Sequence, residues 1–137
     1  SRELTAELLG ISESSLSNYE TGKTKVVPPE MVAQMATLYK APELRNIYCK
    51  TVCPIGCNKN IATKETMIEA VAVHLVNSTE PCVLSGGLGK FLHIAEDGNI
   101  DESERKSLQE VAAVFSPVRF ALSEFFILAE RQGITWN

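Results

Sequence analysis

The sequence predicts an all-α protein in two parts: a set of short helices joined by tight turns, then a helical hairpin or bundle with one long, kinked helix. Three observations carry this. Apolar residues recur three and four positions apart through most of the chain, and no convincing alternating strand is present. Glycine, proline and serine fall where such helices should start and stop. Charge is uneven: residues 1–60 carry a net +1 and residues 61–137 a net −5, which together give the −4 of the 137-residue chain. Two regions of opposite balance suggest two jobs.

The elements follow in order. Residues 4–9 form a short helix ended by Gly10. Ser12 caps a second helix running to about residue 20, because its oxygen can accept an otherwise unpaired N–H of the first turn, and Gly22 ends it. KTKVVPP is a loop, and Pro29 suits the first turn of a helix over residues 30–40, with Met31, Met35 and Leu38 on one face. Pro42 opens another through Cys49, and Pro54 and Gly56 break it, so CPIGCNKN is the expected hinge. Domain boundaries are placed at 1–53, a hinge at 54–63, and 64–137.

In the second part Ile68, Val71, Ala72 and Leu75 define one helical face. Leu88, Phe91, Leu92 and Ala95 define another after SGG at 85–87, read as flexible. The last helix is expected over residues 101–132. Its stripe of Leu108, Val111, Phe115, Val118, Leu122, Phe125 and Ala129 alternates spacings of four and three, which points to a dimerisation seam, to packing on the other helices, or to both. Pro117 lies inside the stripe, so a kink is expected.

AELLGISESSL concentrates the strongest signal. Ala6, Gly10 and Leu16 stand at the spacing A-x3-G-x5-L. A small residue lets two helices approach, glycine admits a left-handed backbone at the turn, and Leu16 plugs the core beneath the second helix. With Leu9, Ile11 and YETGK around it, this stretch resembles the lambda-repressor-like, or Xre-type, helix-turn-helix family over residues 1–45. YCKTVCPIG behind it is similar to a segment in Firmicutes regulators of phage or mobile-element type. In that family the reading helix is the third of five. Here the sequence begins at what corresponds to the second, so the first family helix is absent from it, and the core under Ala6, Leu9, Leu16 and Tyr19 is expected to lack one wall. Thr5 stands where the family usually has an aliphatic residue.

The resemblance implies a transcriptional regulator, a dimeric repressor, that binds double-stranded DNA. Glu13, Ser14, Ser15 and Asn18 would read bases. An amide can pair with an adenine edge, and a carboxylate can accept from a cytosine amino group. Ser1, Arg2, Ser17, Lys23, Thr24 and Lys25 would hold phosphates and set register. The alternative is a protein-interaction module that uses the helix-turn-helix and the C-terminal helices, with the Leu108–Ala129 stripe as its binding surface, to bind a protein partner without DNA. An unidentified protein or small-molecule effector is a further expected partner.

The remaining motifs are weaker. Cys49, Cys53 and Cys57 at C-x3-C-x3-C fit no strong zinc pattern, and buried packing is favoured over a Cys-bound metal or a redox switch, so no cofactor is expected. AEDGNIDESE matches only half a calcium loop, since His93 and Ala95 stand where oxygen ligands belong. Asp101 and Glu104 read better as a capping box. GGLGK lacks the phosphate-loop spacing. His74 and His93 have no partner by sequence, and no nucleophile, base and orienting acid can be named, so an enzyme is not expected. No stretch reads as a membrane span or a signal segment, which makes the cytoplasm the expected location.

Overall fold

Tight turns set most helix ends. Gly10 takes a φ of +66°, and with the backbone reversed there, Ile11 N–H donates to the Ala6 carbonyl and Gly10 N–H to that of Glu7, both at 3.0 Å. That paired bond is the C-terminal seal of a helix that turns sharply. Lys40, the one described non-glycine residue at positive φ (52°), makes the same seal after the third helix, through Ala41 to Ala36 and Lys40 to Thr37.

The protein was analysed as a computed structural model that describes residues 1–96 and 98–134. Seven helices and no strand occur among them: α1 (Arg2–Leu8), α2 (Glu13–Glu20), α3 (Pro29–Leu38), α4 (Glu43–Thr51), α5 (Ile68–Ser78), α6 (Pro81–Ile94) and α7 (Arg105–Arg131). The chain divides into two compact units, Ser1–Lys59 and Asn60–Asn137.

In the first unit α1 packs on α2 and α3 on α4. Its core gathers Ala6, Leu9 and Leu16, closed by the half-buried Ile11, Met31 and Met35. Leu38, placed by its spacing on the same face of α3 as the methionines, is instead partly exposed. Leu4 and Leu8 stand on the exposed side of α1.

In the second unit α5 and α6 both pack on α7. Residues 60–66 run along α7 as well. Asn60 Nδ2 donates to the Ser116 carbonyl at 3.1 Å and lies 3.0 Å from its hydroxyl, and Ala62 N–H donates to Ser123 Oγ at 2.6 Å. Segment 60–63, read from sequence as hinge, is thus tied to the bundle.

Three faces differ from the sequence reading. On α5, Val71 is buried and Leu75 half-buried, but Ile68 and Ala72 face solvent, and Ala70 takes a share of the contact. On α6 the buried positions are Gly87 and Ile94, with Leu84 beside them, whereas Leu88, Phe91 and Leu92 are exposed. Residues 85–87 are not a flexible break but lie within the helix, because Gly87 lets α7 come close: a Cβ there would stand 3.0 Å from Val114 Cγ1. On α7 the buried set is Val111, Ala121, Glu124, Ile127 and Ala129. Of the expected stripe, Leu108, Phe115 and Val118 are half-buried, and Leu122 and Phe125 are exposed.

α7 runs through Pro117 without interruption. It contains an 18-residue window of mean hydropathy 1.7, long and apolar enough by length and composition to cross a membrane. The expectation that no stretch approaches this is therefore corrected: Pro117, Arg119 and Glu124 break the apolar run to the eye but leave the average high. The window belongs to the helix on which α5 and α6 pack, and Glu124 within it is buried against His74 and Thr66.

Candidate nucleic-acid interface

The turn at Gly10 delivers the chain into α2 at a defined angle. Ser12 then caps α2, its Oγ accepting from Ser15 N–H at 3.1 Å. Leu16, with no exposed surface, locks one side of α2 onto the core. At 3.6 residues per turn the opposite side is formed by Ser14, Asn18 and Thr21, with Ser17 on its flank, while Glu13, three residues before Leu16, lies toward the Leu16 side at the start of the helix. Glu13 and Ser14 are exposed, and Ser17 and Asn18 half-buried. Glu13 opens the helix, where the N-terminal dipole favours a carboxylate.

Of the four residues expected to read bases, Ser14 and Asn18 share the side of α2 away from Leu16, and Glu13 is exposed at the first position of the helix. Ser15 stands apart: its hydroxyl lies 2.9 Å from Ser12 Oγ, inside the cap. The serine run that looks uniform in sequence is thus split between capping and display.

The six residues expected to hold phosphates are also divided. Lys23 and Lys25 are exposed in the loop after α2. Thr24 N–H donates to the Asn18 carbonyl at 3.2 Å, folding that loop back onto the end of the helix. Ser17 lies one turn after Ser14 on the surface of α2, and its carbonyl accepts from the Thr21 hydroxyl at 2.6 Å. Ser1 caps α1, with Leu4 N–H 3.4 Å from its oxygen. Arg2 is engaged, its guanidinium 3.3 Å from the Glu20 carboxylate. Glu20 also accepts from the Tyr39 hydroxyl at 2.9 Å. Burial first, and this bond to Glu20 second, push the Tyr39 phenol up to about 12. This Arg2–Glu20–Tyr39 link escaped the sequence reading because its members are 18 and 19 residues apart, with no spacing rule to pair them.

Residues 1–46 match the family model of a helix-turn-helix domain. No curated protein and no solved structure matches the chain. The matched segment comprises α1 and α2 with the turn at Gly10 and extends through α3 into α4.

Outside the domain's polar face, the other candidate sites resolve differently. Cys49 and Cys53 are half-buried, Cys57 is exposed, and all are free thiols. Among the described residues no group of three or more His, Cys, Asp or Glu side chains is placed to hold a metal ion. Local packing explains part of the run. Gly56 lies against Cys49, where a Cβ would collide with the Cys49 carbonyl, and Cys57 Sγ sits 3.4 Å from the Pro54 carbonyl. In the acidic loop, Asp97 lies outside the described residues. Asp101 Oδ1 accepts from Glu104 N–H at 2.9 Å and Glu104 Oε2 from Asp101 N–H at 3.1 Å, a reciprocal capping box.

Proposed function

We propose that the chain is a sequence-specific transcriptional regulator of the lambda-repressor-like, Xre-type kind, akin to Firmicutes phage and mobile-element regulators, and acts as a homodimeric repressor in the cytoplasm. One observation carries this reading: within a segment that matches a helix-turn-helix domain, the side of α2 opposite Leu16 presents Ser14 and Asn18, and Glu13 stands exposed at the start of the helix. In the major groove the Asn18 amide pairs with an adenine edge and Glu13 accepts from a cytosine amino group. Ser14 adds an adaptable hydroxyl. Lys23, Lys25, Ser17, Thr24 and Ser1 fix register on phosphates, joined by Arg2 when it leaves Glu20. We assign the chain no catalytic role.

Dimerisation falls to the second unit. Leu122 and Phe125 are about 40% exposed on α7, and Phe125 borders an apolar groove of about 710 Å³ with Met67 and Ile68, exposed at 75% and 62%. Only 22% of the apolar α7 window is buried within the unit, which supports packing against a second copy. Two reading helices on a two-fold axis would meet half-sites about one helical turn apart. The acidic second unit stays off the phosphates by repulsion.

A second reading, a protein-interaction module that does not bind DNA, is favoured by Val73, Val76, Leu88 and Leu92, all exposed on α5 and α6. A duplex titration separates the two. Saturable binding that weakens roughly tenfold or more in Asn18→Ala, the loss of one base-pair contact, supports the regulator. Absence of binding to any duplex at low salt supports the module.

A further inference from the structure

Glu124 is the one buried charged residue among those described, 4% exposed on α7. Removing a carboxylate from water is costly unless its oxygens are partnered. Here both are: Oε1 accepts from the Thr66 hydroxyl at 2.8 Å, and Oε2 lies 2.6 Å from His74 Nδ1. The same bonds have a second effect. With Nδ1 committed to Glu124, the ring of His74 is held in one orientation and its Nε2 is left on the far edge. The His74 side chain is 48% exposed.

That side chain lines a wide-open cavity of about 510 Å³ between α5 and α7, within the roughly 300–1,000 Å³ typical of small-molecule sites. The walls are of two kinds. Phe120 and Pro117 supply flat apolar surface, and Asn60, Asn77 and Ser78 supply polar groups. Asn60 spends its N–H donors on Ser116, which leaves its Oδ1 as an acceptor. Asn77 is exposed and its amide has no partner among the described residues. Ser78 donates its hydroxyl back to the Leu75 carbonyl at 3.2 Å, so its lone pairs remain. No lysine or arginine is in the wall, and His74 already faces a carboxylate, so nothing there favours an anion.

We propose that this cavity is a binding site for a small, neutral, planar heterocycle of nucleobase size. Its face lies on Phe120 and Pro117, and its hydrogen-bonding edge meets His74 Nε2, Asn77 and Asn60 Oδ1. Glu124 is the positioning residue that aims His74.

The chain has two histidines, and His93 is 81% exposed in its side chain, an internal control. The experiment follows both imidazoles by NMR in the full chain, without DNA, while adenine, cytosine, hypoxanthine or benzoate is added. The expected result is a saturable shift of the His74 resonances with at least one neutral base, at a dissociation constant of about 1 mM or tighter. His93 and the benzoate titration should show none. Asn77→Ala, a substitution at an exposed position, should weaken binding about fivefold, the worth of one hydrogen bond. The proposal is overturned if His74 is unmoved by every neutral base, if benzoate alone shifts it, if His93 moves in parallel, or if Asn77→Ala binds as tightly as the parent. Because no DNA is present, none of these outcomes bears on whether α2 reads a duplex.

Discussion

Leu16→Ala tests the frame that carries the reading helix. Leu16 has no exposed surface and joins Ala6 and Leu9, with Ile11, Met31 and Met35 around them. Buried Leu→Ala changes cost about 2–5 kcal/mol, depending on how far the site collapses. Two of the five neighbours are methionines, whose flexible side chains fill gaps, so a loss of about 3 kcal/mol is expected. A unit of 59 residues has a stability of roughly 3–9 kcal/mol, and the change therefore removes a third of it or more. In thermal unfolding this corresponds to a fall in Tm of more than about 10 °C. The assay is urea or thermal unfolding followed by near-ultraviolet circular dichroism of tyrosine, since Tyr19, Tyr39 and Tyr48, the chain's three tyrosines, all lie in this unit. A loss below about 1 kcal/mol would refute the argument, because α2 would then not be anchored through Leu16.

Other predictions rest on single contacts. Ser12→Ala removes the cap on Ser15 N–H and should cost about 1 kcal/mol in the same assay, while Ser15→Ala, which keeps that bond, should cost less. Tyr39 should ionise near pH 12 in a 295 nm titration. Its folded value is raised above the ordinary tyrosine value of about 10, so the stability it lends is full below pH 10 and lost as pH rises toward 12. Glu20→Gln should bring its titration down toward the ordinary range. Glu124→Ala leaves the Thr66 and His74 donors facing a cavity and should destabilise the second unit by about 2–4 kcal/mol, measured by hydrogen exchange of α5 and α7 amides.

The first unit was legible because its signals are local. Gly10, Ser12 and Leu16 each act within a turn or two of their own position, and the fold uses them as their chemistry implies. The second unit was less so, since its faces are decided by what packs on them. Gly87 looks like a flexible spacer until Val114 is seen 3.0 Å from where its Cβ would be. Glu124 is read as a solvent residue in any apolar pattern, yet it is buried because Thr66 and His74, 58 and 50 residues away, satisfy it. That burial turns the covered side of α7 toward Ala121, Glu124 and Ile127 and leaves Leu122 and Phe125 outside. At the candidate interface, the exposure of Glu13 and Ser14 at the start of α2 was legible from position. The engagement of Ser15 by Ser12 and of Arg2 by Glu20 was not, because hydroxyl rotamers and long-range ion pairs leave no periodic trace.

The central claim, that α2 reads DNA through Glu13, Ser14 and Asn18, is tested most directly by selecting from a random duplex library with the purified chain and with Asn18→Ala. The account predicts enrichment of a two-fold symmetric site with half-sites about one helical turn apart, and loss of the base preference at one position per half-site in the variant. No enriched sequence, or the same sequence enriched equally by both proteins, would contradict it.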